Sequence, residues 1–87
     1  MGRVILARRA RGDILELEPS VADAVADALG VLERDPESGH TLRGRLRGLR
    51  SLRVGSYRVI YQLDPAEGEV PVLTVRHRAI AYRQDPR

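Results

Sequence analysis

The segment Leu49-Arg50-Ser51-Leu52-Arg53-Val54-Gly55-Ser56-Tyr57-Arg58-Val59-Ile60-Tyr61-Gln62-Leu63 decides the fold. Its residues alternate between apolar and polar on both sides of Gly55-Ser56, the period of strands with one face in a core. Glycine in the first position of a two-residue loop signals a type II′ hairpin. Alternation puts Arg58, Ile60 and Gln62 on one face and Tyr57, Val59, Tyr61 and Leu63 on the other. On the preceding strand it separates Ser51 and Arg53 from Leu52 and Val54. With the apolar faces turned to a core, Arg53 and Arg58 emerge together across the hairpin. Two adjacent cations repel without an anion between them, and local conflicts of this kind gather at functional sites. Tyr57 and Tyr61 share a face with Val59 and Leu63, which marks them as core and not as base-stacking residues.

Downstream, Asp64-Pro65-Ala66-Glu67-Gly68 reads as a second turn and Val70–His77 as a third strand rich in Val, Leu and Thr. Upstream, Val4-Ile5-Leu6 suits a short buried strand. Ala10, Ile14 and Leu17 recur at helical spacing and predict a first helix over residues 8–17, weakened by Gly12. Pro19-Ser20 opens a second helix, with Ser20 as N-cap. Val21, Val25, Ala28, Leu29 and Leu32 form its buried stripe, and Asp35-Pro36 stops it. Residues 37–48 read as a loop in which Gly39, Gly44 and Gly48 are spaced among Arg43, Arg45 and Arg47. No Gly-Lys-Ser/Thr follows, so a phosphate-cradling P-loop is excluded. The predicted order is β-α-α-β-β-β in one domain over residues 1–87. An antiparallel meander packs on a two-helix hairpin, with a short helical turn within Ala79–Arg87: an α+β fold.

The chain of 87 residues has neither Cys nor Lys, Phe or Trp. The core is therefore aliphatic, and disulfides, thiolate metal sites and cysteine nucleophiles are excluded. No apolar run approaches the ~20 residues of a membrane span, and Met1–Leu6 is too short for a secretory signal. A soluble cytoplasmic protein is expected. All fifteen basic residues are Arg, which stays charged at physiological pH and offers a planar fork of donors to phosphate. Residues 1–42 carry five Arg and eight acids, a net charge of −3. Residues 43–87 carry ten Arg and four acids, a net of +6. That asymmetry is the footprint of a polyanion-binding surface on the second half.

The two histidines, His40 and His77, have no Cys or carboxylate pattern around them, so no metal site or cofactor is expected. The serines lack a nucleophile-elbow context, and paired carboxylates are missing from the basic half. His77, at the end of the third strand, has the side chain best suited to proton transfer near neutrality.

Leu42-Arg43-Gly44, then Leu52-Arg53-Val54-Gly55-Ser56-Tyr57-Arg58-Val59-Ile60-Tyr61, then Val75-Arg76-His77-Arg78 and Ala81-Tyr82-Arg83 closely resemble the signature of the RelE/ParE toxin superfamily of type II toxin–antitoxin systems. The resemblance spans essentially the whole chain and is nearest to the RelE-like mRNA interferases. It implies a toxin held inactive by a cognate antitoxin. Such a toxin enters the ribosome and cuts mRNA by attack of a 2′-hydroxyl on the adjacent phosphate, without metal, and meets operator DNA only through its antitoxin. It also implies site residues: Arg58 on the sheet, Arg78 ending the last strand, Tyr82 in the tail and Arg53 on the first hairpin strand. Arg43, Arg45, Arg47, Arg50, Arg76 and Arg83 are then expected to bind RNA or ribosome, with His77 as a proton-transfer candidate. Ser51 stands where some ribosome-dependent members carry Lys. A phenol with its ordinary pKa of about 10 serves as an acid without help, and as a base only beside cations that lower it. The alternatives within the superfamily are a ParE-like toxin that binds DNA gyrase without catalysis, and an inactive co-repressor.

Overall fold

The computed structural model describes residues 2–64 and 66–87. The elements run β1 (Arg3–Leu6), α1 (Arg8–Leu15), α2 (Pro19–Arg34), β2 (His40–Thr41), a 3-10 turn (Gly44–Leu46), β3 (Arg50–Val54), β4 (Tyr57–Tyr61) and β5 (Glu69–His77). The five strands form one sheet in the order β1-β5-β4-β3-β2. The meander β3-β4-β5 is antiparallel as expected, but β1 adds parallel to β5, so the sheet is mixed. Val4-Ile5-Leu6 is therefore an edge strand with Arg3 and Ile5 exposed, not a fully buried one.

The predicted loop 37–48 contains β2, a two-residue edge strand too short and polar to carry a period. The second helix begins at Pro19, whose missing N–H costs nothing in a first turn, so Ser20 lies inside the helix and is not its cap. The first helix stops at Leu15, two residues early. The C-terminal tail makes separate turns instead of a helix, with Ile80 N–H donating to His77 and Arg83 N–H to Ile80. Pro65, in the turn expected over 64–68, lies outside the described residues.

The hairpin has the expected turn. Gly55 has φ +58°, and no described residue other than glycine has positive φ, so Ser56 is negative, the combination of type II′. The inner face of the sheet buries Val59, Tyr61, Val70, Val72 and Val75 against Ala10 of α1 and Val25 and Leu32 of α2. The outer face has a smaller cluster in which Leu46, Leu49 and Ala81 cover Ile60.

A register shift between Ile60 and Tyr61 decides what else reaches that outer face. Ile60 pairs with Thr74, but Tyr61 pairs with Val72, leaving Leu73 as the extra residue of a bulge. Val70, Val72 and Val75 consequently all face the helices, while Leu73 joins the outer cluster. Strict alternation from Val70 and Val72 would have turned Arg76 into the core; the bulge sends it outward, in register with Arg58.

Candidate functional site

The outer face carries a row of guanidinium groups. Arg53 on β3 pairs with Arg58 on β4, which pairs with Arg76 on β5. Arg53 is exposed and Arg58 half-buried. Arg58 Nη1 donates back to the carbonyls of Tyr57 (3.0 Å) and Gly55 (3.5 Å). No carboxylate forms an ion pair with any member of the row among the described residues. The expected juxtaposition of Arg53 and Arg58 is thus present, extended by one arginine.

The tail crosses this face and is held there by arginines bonded to backbone carbonyls. Arg76 Nη1 donates to Gln84 (3.0 Å) and Ala81 (3.3 Å). Arg45 Nη2 donates to Arg83 (2.9 Å) and Tyr82 (3.4 Å). Arg87 reaches the carbonyls of Arg47 (2.8 Å) and Arg45 (2.9 Å) while its own guanidinium is oriented by Asp85. The Arg87 hydrogen bonds and charge hold the Asp85 carboxyl below its ordinary value. Fixed in this way, the tail brings the Tyr82 hydroxyl 2.9 Å from Ser51 Oγ, two residues along β3 from Arg53 of the arginine row. Ser51 is buried and Tyr82 is 41% exposed, so the phenol is anchored at one end and accessible at the other.

The structure divides the other expected site residues. Arg78 is exposed just beyond β5, its N–H on the Ser56 carbonyl at the hairpin tip (2.7 Å). His77 lies on the opposite face from the row: its ring meets Tyr57 edge-on at 5.5 Å, and its Nδ1 accepts from Ala79 N–H. It is therefore not brought together with Arg58 or Tyr82. Arg43, Arg47 and Arg83 are exposed, with no side-chain partner among the described residues.

Arg45, Arg50 and Arg76, expected as RNA- or ribosome-binding residues, each spend part of their guanidinium donors on groups inside the fold. Arg50 Nη2 donates to Glu37 (2.8 Å) and Gly39 (2.9 Å), pinning the loop after α2. Arg76 is only 6% exposed, and burial, then the nearby Arg9, lower its pKa while Asp13 opposes them. Backbone carbonyls compete for guanidinium as phosphate does, and a period-two pattern cannot tell the two uses apart.

Two features escaped the sequence. The Ser51–Tyr82 pair depends on the path of the tail, which has no periodicity, although alternation had placed Ser51 on the correct face. Asp13 of α1 also accepts from Thr74 Oγ1 (2.6 Å) and Val75 N–H (3.0 Å), standing in for a neighbouring strand where β5 extends past β1. Among the described residues no group of three His, Cys, Asp or Glu side chains could hold a metal ion, and no helix is long and apolar enough to cross a membrane.

Residues 4–82 match the family model described as the ParE toxin of type II toxin–antitoxin systems. The chain belongs to this family, within the RelE/ParE superfamily, and is a toxin of the type II toxin–antitoxin class. Toxin RelG of Mycobacterium tuberculosis is 42% identical over 77 residues, covering 86% of this chain and 88% of its own. Toxin RelE of the same organism is 33% identical over 85 residues, covering 95% and 88%. The crystal structure of the RelBE2 toxin–antitoxin complex of M. tuberculosis superposes with a TM-score of 0.82 at 38% identity, over 88% of this chain and 98% of that one. The intact Escherichia coli RelBE complex matches the fold at a TM-score of 0.77 and 21% identity, over 88% and 96% of the two chains.

Proposed function

We propose that this toxin is a metal-independent mRNA endoribonuclease acting on the ribosome. The single observation that carries the reading is the Tyr82 hydroxyl, fixed at 2.9 Å from Ser51 beside a row of unneutralised arginines. In the reaction the 2′-oxygen of one nucleotide bonds to the adjacent phosphorus and gives its proton to solvent water. The phosphorus–5′-oxygen bond then breaks, leaving a cyclic phosphate and a 5′-hydroxyl. Arg53 and Arg58, joined by the exposed Arg78, neutralise the phosphorane-like transition state. Tyr82 protonates the departing 5′-oxygen, and Ser51 holds the phenol for that step. The row has neither carboxylate nor imidazole, so the chain contributes charge stabilisation and leaving-group protonation more than proton abstraction.

The toxin structure of the RelBE2 complex is solved with an antitoxin, which supports a cognate antitoxin as partner here. Ribosome and message are the target, the cytoplasm is the compartment, and operator DNA is met through the antitoxin.

Mapping mRNA ends by primer extension after induction tests the reading. Wild type should give codon-linked cuts, while Arg58→Ala and Tyr82→Phe should each cut about 10²–10³ times more slowly. Equal cutting by both variants overturns the assignment. One observation favours a second reading, a ParE-like inhibitor of DNA gyrase: Ser51 is buried and neutral where some ribosome-dependent members carry Lys. A supercoiling assay run in parallel separates the two, because a supercoiling defect without mRNA cuts selects gyrase.

A further inference from the structure

We propose that Asp13 of α1 is a positioning residue for Tyr82, acting through two hydrogen bonds that fix the end of β5. The strand runs over Glu69–His77, but β1 pairs only with Glu69–Val72. The chain leaves the sheet where Ala7 N–H donates to the Val72 carbonyl, and enters α1. Residues 74–77 therefore have β4 on one side and no strand on the other. A backbone N–H buried at such an edge carries a desolvation penalty unless it finds an acceptor. Asp13 supplies one: its Oδ2 accepts from Val75 N–H (3.0 Å) and from the hydroxyl of the fully buried Thr74 (2.6 Å).

The bulge at Leu73 is what makes this anchor matter. It lies one residue before Thr74, and a slip of one residue would turn every later side chain of β5 to the opposite face. Asp13 bonds the two residues directly after the bulge, and so holds the register in which Arg76 faces outward. Arg76 then donates to carbonyls on both sides of Tyr82, those of Ala81 (3.3 Å) and Gln84 (3.0 Å). Tyr82 ends the series with its hydroxyl 2.9 Å from Ser51. The Asp13 side chain bonds nothing in the tail among the described residues, so its hold on Tyr82 passes through β5. Helix α1 thus sets where the phenol stands without touching it.

The effect on message cleavage rests on the nuclease reading, whereas the place of Tyr82 does not, so the two fail separately. The probe is the NMR signal of the Tyr82 ring in toxin carrying isotope-labelled tyrosine, assigned from Tyr82→Phe. In Asp13→Ala and in Thr74→Val that signal should move toward its position in Ser51→Ala, where the phenol is free, while the Tyr61 signal stays. Asp13→Asn, whose carboxamide oxygen can still accept both bonds, should keep the wild-type signal. Leu32→Ala empties part of the core beneath α2 and leaves both bonds in place. It should lower the urea midpoint and leave Tyr82 unmoved, which separates positioning from general loss of stability. The kcat of mRNA cutting should fall about tenfold in Asp13→Ala at unchanged KM, because the phenol acts in the transition state, and recover in Asp13→Asn. An unmoved Tyr82 in Asp13→Ala, or in Thr74→Val where Asp13→Ala does not fold, overturns the proposal. An equal displacement in Leu32→Ala, or no recovery in Asp13→Asn, overturns it as well. A displaced Tyr82 signal with no cutting by wild type keeps the positioning role and removes the nuclease reading.

Discussion

Arginine has two uses in this molecule, and the difference lies in what each guanidinium touches. Arg53 and Arg78 keep their guanidinium donors available and Arg58 spends only Nη1, on the carbonyls beside its own turn, whereas Arg45, Arg50 and Arg76 bond backbone carbonyls distant in sequence or in the tail. Removing Arg76 should therefore act on stability before function. Arg76→Gln frees the carbonyls of Ala81 and Gln84 and is expected to cost about 1–3 kcal/mol, read as a lower urea midpoint with an unchanged slope. Ser51→Ala should leave the midpoint within about 1 kcal/mol but free the Tyr82 phenol. Message cleavage should then fall roughly tenfold, on the ~1.4 kcal/mol scale of one hydrogen bond, and Ser51→Thr should restore it. Unchanged cleavage in Ser51→Ala would remove the positioning role.

At the scale of elements, the loop after α2 and the free edge of β5 are fixed by single residues. Tyr61 Oη donates to the Pro36 carbonyl and accepts from Gly39 N–H. A Cβ on Gly39 would come within 2.6 Å of both Tyr61 Oη and the Ser51 carbonyl oxygen. Gly39→Ala should therefore push the loop off β3 and cost about 1–3 kcal/mol, measurable by chemical denaturation. Asp13→Ala should expose Val75 N–H, with amide exchange at Val75 rising well above that of Val59. The tail clamp has a pH dependence of known sign. The Asp85 carboxyl is held below its ordinary value by Arg87, so the clamp is intact above the ordinary carboxylate range and weakens as pH falls through the lowered value. NMR signals of Arg87 should move through that acid range in wild type and stay still in Asp85→Asn.

Across the whole molecule, charge divides by half of the chain more than by layer, since Arg8, Arg9, Arg11 and Arg34 are exposed on the helices among the acids. Glu16, Glu18, Asp23, Asp27 and Glu33 are exposed on or beside the helices, and Arg43, Arg47, Arg53 and Arg78 are exposed in or around the hairpin half. A polyanion should approach from the sheet side, with affinity falling as salt rises. Each single-strand phosphate contact contributes about −0.7 to the logarithmic salt slope. The double variant Arg43→Gln/Arg47→Gln should make RNA binding shallower by roughly 1.4, whereas Arg50→Gln should leave the slope unchanged.

The sequence by itself determined the hairpin, the α2 stripe, the facing of Arg53 and Arg58 and the family, because each rests on local period or motif spacing. Alternation also placed Tyr61 in the core and Ser51 beside Arg53. Other assignments depended on contacts distant in sequence. The parallel pairing of β1 with β5 joins residues 66 positions apart, and β2 has two polar residues with no period of their own. Alternation had set His77 on the face opposite Arg78, but the bulge at Leu73, which turned Arg76 outward and left His77 on the helix side, was decided only by the tertiary structure. The tail was decided in the same way: carbonyls accept guanidinium donors wherever the backbone passes, and that path is what set Tyr82 on Ser51.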